Sequence, residues 1–306
     1  DRGMGALEYR PVLEHATGED DIDLAQLYQE SQAVYEGDTS SILDALRLAG
    51  GSPAGARPKV VVALSPDRKQ CNTSFQQLPA GYQHWLVKFR SPTEHRDTGT
   101  IEYAYALLAE RAGVKMAASD LLTVSSANGT ERFFAAQRFD RHGNSKLHMM
   151  TASGILYADH RVPSLDYSDL LKTTHAVTNH AAEVERMARL MVFNALTHNH
   201  DDHAKNFAFL HDQGRWTLAP AYDLTYAPVQ GFADEHTTSF NGSGLATRKN
   251  LKQVCSAFRY LDPDLYIEQT LDVLSGWSSL CNELEIDPNQ QRIIQRAFNE
   301  IRKRLD

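Results

Sequence analysis

Cysteine is scarce in this 306-residue chain: Cys71, Cys255 and Cys281 are odd in number and far apart. That pattern fits neither a disulfide framework nor a paired zinc motif, and it points to scattered thiols in a reducing cytoplasm. No apolar run approaches the roughly 20 residues that a membrane-spanning helix needs, and no signal peptide precedes the first domain, so no membrane partner is expected. A dense run of lysine and arginine is missing as well. With 31 basic against 39 acidic residues the formal net charge is −8. Such a surface repels nucleic acid phosphates, so direct DNA or RNA binding by this chain alone is not expected. Repeats and low-complexity linkers are absent. What remains is 42% hydrophobic and 23% charged, a composition that argues against wholesale disorder and is sufficient for two packed lobes. The chain opens at Asp1 without an initiator methionine and reads as a fragment.

Strand signals dominate the first half. After helical spacing between Asp23 and Leu48 (Leu24, Leu27, Tyr28, then Ile42, Leu43, Leu46), Gly50-Gly51 stops the helix and a turn-rich stretch runs from Ser52 to Pro58. Lys59–Leu64 and Trp85–Phe89 read as strands, Thr100–Ala112 as a helix stopped by Gly113, and Arg132–Phe139 as another strand. The second half is mostly helical. Val184, Met187, Ala188, Met191, Val192 and Ala195 mark a helix over Ala182–Leu196, and Thr247–Leu305 reads as several amphipathic helices. Pro228–Asn250, rich in Gly, Ser and Thr, reads as a mobile loop. A β-rich lobe over residues 1–140 and a helical lobe over 141–306 make an α+β fold.

The chemistry is concentrated in Asn199-His200-Asp201-Asp202-His203-Ala204-Lys205-Asn206. Phosphoryl transfer in protein kinases uses an aspartate facing the acceptor hydroxyl and an asparagine five residues on that holds magnesium. Asp201 and Asn206 have that spacing. Phe207–Leu210 and Arg215–Ala219 flank the turn Asp212-Gln213-Gly214, and folding that hairpin brings Asn206 and Asp223 to the same end. One carboxylate and one carboxamide oxygen could then share Mg²⁺, leaving Asp201 to take or orient the proton of the attacking hydroxyl. His203, between the two functional positions, is a candidate tether for the loop, and Lys205 completes the Asp-x-His-x-Lys-Asn motif. Upstream, Gly50–Ala56 could turn backbone N–H groups toward an anion, although it lacks the Gly-Lys-Ser/Thr ending of a P-loop. Lys88, central in an apolar strand, must reach solvent at an edge or meet a buried anion; Glu102 is the nearest candidate partner.

Taken in order, Ser52–Lys59, the strand carrying Lys88, Gln137–Arg141, Asp201–Asn206 and Tyr222-Asp223-Leu224 resemble the HipA family of toxin kinases over nearly the whole chain. The resemblance implies a bilobal protein-kinase-like fold, ATP and Mg²⁺ as cofactors, Ser/Thr kinase activity, and a HipB-like antitoxin through which alone the chain would meet DNA. It also implies a protein substrate, with an aminoacyl-tRNA synthetase as the family's example, and growth arrest and persistence as outcomes. By the same carry-over Asp201 is the catalytic aspartate, Asn206 and Asp223 hold the metal, and Lys88 binds phosphate. Ser52, Ala54 and Gly55 lie in the nucleotide loop, with Ser52 the autophosphorylation site, while Gln137 and Phe139 meet adenine through backbone groups. Gln137 departs from an acidic residue in the family, which a backbone contact tolerates. The family's small N-terminal subdomain would precede Asp1.

Two other readings compete. His198, His200, Asp201, Asp202 and His203 are a dense set of metal-ligating types, and a His200-Asp201 dyad would suit a metal-dependent phosphohydrolase. That assignment leaves Lys88, the glycine loop and Asp223 idle. The other is a pseudokinase that mainly holds a DNA-binding partner, against which the intact Lys88, Asp201, Asn206 and Asp223 argue.

Overall fold

The structure, a computed structural model, describes residues 3–8, 23–35, 57–72, 78–126, 129–159, 161–228 and 235–305. Ser52, Ala54, Gly55 and the part of the expected first helix beyond Tyr35 lie outside the described residues. The chain divides into two compact units, Asp1–Tyr103 with Ala117–Met149 and Ala104–Met116 with Met150–Asp306. The passage falls at Met149 rather than at residue 140 because the stretch just after Asp140 folds back on the first unit. Arg141 Nη1 and Nη2 donate to the carbonyls of Gly5 and Gly3, each at 2.9 Å, and Lys146 meets Glu8 at 2.8 Å.

In the first unit α1 (Leu24–Tyr35) lies on a five-stranded antiparallel sheet built from β1 (Lys59–Leu64), β2 (Cys71–Asn72), β3 (Gln83–Lys88), β4 (Ser119–Ser126) and β5 (Gly129–Gln137), in the order β2-β1-β3-β5-β4. Helix α2 (Thr98–Arg111), which precedes β4, belongs to this unit only as far as Tyr103, and the short pair β6 (Arg141–His142) and β7 (Ser145–Lys146) closes the unit. Leu27, Tyr28, Trp85, Val87, Phe89 and Phe133 fill the core, with Tyr28 and Phe89 each packed on the Phe133 ring at 4.9 and 4.8 Å. Since side chains alternate along a strand, Trp85 and Val87 on that face leave His84, Leu86 and Lys88 on the other.

The second unit opens as β8 (His148–Thr151) runs into α3 (Ala152–Leu156); β9 (Leu165–Asp166), α4 (Tyr167–Thr178) and α5 (Ala181–Leu196) follow. Then come a 3-10 turn (Ala204–Asn206), the hairpin β10 (Ala208–Asp212) and β11 (Arg215–Leu218), β12 (Thr238–Ser239), and helices α6 (Arg248–Cys255), α7 (Pro263–Ser275), α8 (Trp277–Glu283) and α9 (Pro288–Leu305). Helix α5 is the axis: Met187, Met191, Val192, Phe193 and Leu196 are wholly buried, with α4, α7 and α9 packed around it. Pro228–Asn250 is not the loop its composition suggests. Thr238 and Ser239 pair in parallel with Leu165 and Asp166, and Thr247 caps α6. Among the described residues no helix is long and apolar enough to cross a membrane. All three cysteines are buried and none is in a disulfide, and burial pushes the Cys255 and Cys281 thiols up to about 12.

Two features of the first unit give stability predictions. Gly99, in the first turn of α2, has no room for a side chain: a Cβ there would stand 2.6 Å from the Arg132 carbonyl oxygen and 3.0 Å from the Phe134 nitrogen. Both neighbours are backbone, so Gly99→Ala should cost about 1–3 kcal/mol, read as a lower urea midpoint at unchanged slope. The His84 imidazole is pushed down to about 4, first by burial and then by the Arg138 and Arg141 charges, with Asp140 pulling the other way. Its ordinary value is 6.5, so between the two the unfolded chain binds the extra proton and stability should fall as pH is lowered from about 6.5 to about 4. His84→Gln should flatten that limb in unfolding curves taken across the range; an unchanged limb would assign the effect to another group.

Candidate active site

The residues expected to act together fall into two groups, one in each unit. In the first, Lys88 ends β3 between Lys59 and Phe134 of the flanking strands. It is 8% exposed and forms an ion pair with Glu102 of α2, which is 1% exposed, so the lysine is not on a solvent face. The second oxygen of Glu102 accepts from Arg57 Nη1 at 3.0 Å, and Arg57 Nε reaches Glu94 at 2.6 Å. The remaining oxygen of Glu94 accepts from Ser91 N at 2.8 Å. Two cations and two carboxylates thus neutralise one another in a chain, and a carboxylate shared by two cations fixes the Lys88 ammonium in place. Arg57 and Glu94 were not foreseen; the only local signal was Arg57 in the turn before β1.

Gln137 and Phe139 bracket the exit from the sheet. The Gln137 N–H is taken by the Ala118 carbonyl at 2.8 Å and that of Arg138 by His84 at 2.8 Å, so for a nucleotide base Gln137 could offer its carbonyl. Beyond them the wholly buried Asp140 is gripped by Arg138 and Arg141 at 2.8 and 3.0 Å. Burial alone would raise its carboxyl; the two guanidiniums outweigh burial and hold it below the usual carboxylate range.

In the second unit α5 ends at Leu196, and His198 breaks the helix by taking a left-handed φ of +56°. Asp201 follows, 62% exposed, with His203 Nε2 3.8 Å from Oδ1. Asn206 donates from Nδ2 to the Asp201 carbonyl at 2.8 Å and from its backbone N to the His203 carbonyl at 2.8 Å. That use of Nδ2 leaves Oδ1 as the atom Asn206 can offer to a metal, a hard oxygen donor as Mg²⁺ requires.

The hairpin forms as its sequence suggests. Gln213 and Gly214 both take positive φ, 45° and 79°, which matches the twist of a two-residue turn. Phe209 pairs with Leu218, and the Ala219 N–H reaches the Ala208 carbonyl at 2.9 Å. The two outer ends are then tied directly: the Tyr222 hydroxyl donates to the carbonyl of Lys205, next to Asn206. Burial, with the Asp223 charge adding to it, pushes the Tyr222 phenol far above its ordinary value, so it stays a donor. Asp223 adopts φ +59°, a conformation that costs most residues energy and that aspartate tolerates better than most. The half-buried Lys205 enters this arrangement through its carbonyl.

The His200-Asp201 dyad does not form a metal site. His198 and His200 are buried and stacked at 4.5 Å, and His200 packs on His236 at 4.3 Å, while Asp201 faces solvent. Among the described residues no three His, Cys, Asp or Glu side chains stand together as a metal cluster.

The model of the HipA-like C-terminal domain matches residues 51–305. This chain belongs to that family. Y4dM of Sinorhizobium fredii (strain NBRC 101917 / NGR234), named provisionally as a kinase, is 25% identical to the HipA-like chain over 172 residues. The match takes in 52% of this chain and 41% of that protein, so the chain spans less than half the length of this curated relative. The HipA chain of the Shewanella oneidensis MR-1 complex of HipA, HipB and operator DNA is similar in three dimensions, with a TM-score of 0.65 at 16% identity, over 98% of this chain and 75% of that one. The expected α+β, kinase-like fold is borne out by this match.

Removing the Tyr222 hydroxyl tests how firmly the hairpin ends are tied. Tyr222→Phe should lower stability by about 1 kcal/mol and speed hydrogen exchange at Lys205 and Asn206. Exchange at those amides equal to wild type would show that the tie does not hold them.

Proposed function

We propose that this HipA-like chain transfers the γ-phosphoryl group of ATP to a serine or threonine hydroxyl of a protein, with Mg²⁺ as cofactor. The observation that carries the reading is the Asp201–Asn206 loop: an exposed carboxylate whose own backbone carbonyl is held by the carboxamide five residues on. Asn206 Oδ1 and the Asp223 carboxylate are the residues that would hold Mg²⁺, which when bound neutralises charge on the nucleotide phosphates. Lys88, fixed by Glu102, adds positive charge toward a phosphate. Asp201 orients the acceptor hydroxyl and receives its proton as the new O–P bond forms and the bond to the β-phosphate oxygen breaks. His203 supports Asp201 from 3.8 Å.

The wider role is part of the same proposal. A HipB-like, DNA-binding antitoxin is supported by the Shewanella relative, solved with HipB and operator DNA. Autophosphorylation of Ser52, a protein substrate of the aminoacyl-tRNA synthetase kind, and a cytoplasmic toxin that arrests growth rest on the family resemblance. A phosphate of charge near −2 on Ser52 beside the phosphates of ATP would expel the loop by repulsion.

The test follows radiolabelled γ-phosphate and intact mass, with Mg-ATP and wild type against Asp201→Asn. Transfer should fall by about 10²–10⁴-fold in the variant while nucleotide binding survives. Turnover of Asp201→Asn at the wild-type rate would sink the assignment, and binding without transfer in both proteins would leave a nucleotide-binding module.

A further inference from the structure

Asp202 follows Asp201 in sequence and turns the opposite way. Its carboxylate is wholly buried, a costly state for a charge unless donors surround it. Three do. The Tyr167 hydroxyl lies 2.8 Å and His236 Nδ1 3.0 Å from Oδ2, and the Thr238 N–H is 3.1 Å from Oδ1. Tyr167 is itself aimed by Asn194, whose Nδ2 donates to the phenol oxygen at 3.0 Å.

The backbone of this stretch, which has no helix or strand until Ala204, is held just as fully. The His200 carbonyl accepts from the Thr237 N–H at 3.1 Å and from its hydroxyl at 2.8 Å. The Asp202 carbonyl accepts from the Thr238 hydroxyl. Asn206 takes the carbonyls of Asp201 and His203, each at 2.8 Å. Every carbonyl from His200 to His203 is therefore occupied, and two of these four carbonyls are held by the strap His236-Thr237-Thr238.

The strap is anchored in turn. It continues into β12, paired with Leu165 and Asp166. Asp166 caps α4 through Ser168 N at 2.8 Å and also accepts from the Ser239 hydroxyl at 2.5 Å and Gly242 N at 2.8 Å. Burial would raise the Asp166 carboxyl, but these donors outweigh it and hold the group below its ordinary value. The first residue of α4 is Tyr167, which returns to Asp202, so the ring of contacts closes.

The geometry points to Asp202, together with the His236–Thr238 strap, as the positioning device that fixes where the Asp201 carboxylate stands. The inference rests on the proposed role of Asp201 as acceptor of the hydroxyl proton. Asp202 itself touches no reactant; it acts by denying its neighbour's backbone any other position, and small displacements at a reacting centre are costly.

The test compares wild type with Asp202→Ala, Asp202→Asn, His236→Ala and His236→Asn in three readouts: steady-state transfer from Mg-ATP, Mg-ADP binding by calorimetry, and amide hydrogen exchange. In Asp202→Ala, kcat should fall by about 100-fold at nearly unchanged KM for ATP and Mg-ADP affinity. Amides of Asp201–Asn206 and Thr237–Ser239 should lose protection together while α5 keeps its own. His236→Ala should behave likewise, and His236→Asn, whose amide can replace the Nδ1 donor, should recover most of kcat. Asp202→Asn keeps the shape and covers the case in which the alanine variant fails to fold. Wild-type kcat in Asp202→Ala or Asp202→Asn, or kcat, nucleotide affinity and melting temperature falling in proportion without rescue by His236→Asn, would overturn the proposal. A wild type that transfers nothing would overturn the role of Asp201 instead; the exchange data would still decide whether Asp202 fixes the loop.

Discussion

A carboxylate with no access to solvent organises the second unit. Asp202 gathers one donor from the start of α4, one from the His236 ring and one from the backbone of β12, parts of the chain that share no local sequence relation. Taking away one partner of such a buried charge generally costs about 3–5 kcal/mol, so each partner is constrained by the other two. The irregular loop needs this, because a segment outside helix and sheet has no ladder to satisfy its own carbonyls. Asp201 can face solvent because Asp202 does not.

Charge is handled in the same manner elsewhere. Lys88 shares Glu102 with Arg57, and Asp140 serves both Arg138 and Arg141. In each case one anion is divided between two cations, leaving hydrogen-bonding capacity that backbone groups or Glu94 take up. Networks of this kind specify one arrangement of side chains more than they add stability, which suits residues that must present a charge at a defined place.

What the sequence disclosed was local. The spacing of Asp201 and Asn206, the turn at Gln213-Gly214 and the alternation around Lys88 are each written within a few residues. The expected strands at Lys59–Leu64 and around Lys88, the hairpin and the helix at Ala182–Leu196 form within small shifts of their ends, whereas the strand Ser119–Ser126 and the helix Tyr167–Thr178 were not read from the sequence. Glu102 was within reach of the same reasoning, lying 14 residues from Lys88 on the next helix. The partners of Asp202 were not, since Tyr167, His236 and Thr238 stand 35, 34 and 36 residues away with no periodicity to link them. Glycine, serine and threonine between Pro228 and Asn250 imitate a loop in composition, but Thr238, Ser239 and Gly242 spend hydroxyl or amide groups on Asp202 and Asp166. The histidines misled for the opposite reason: in a run of metal-ligating residue types, the rings of His198 and His200 are turned into the core.

The burial of the three cysteines has a practical side. Each is enclosed within the fold, and the thiols of Cys255 and Cys281 stay protonated far above neutral pH. Thiolate is the reactive form of cysteine, so Cys255 and Cys281 should react slowly with electrophiles while the chain is folded. An added surface cysteine, for instance at the exposed Asn241 beside the strap, should then take up a maleimide dye well ahead of Cys255 and Cys281, which favours site-directed fluorescence labelling.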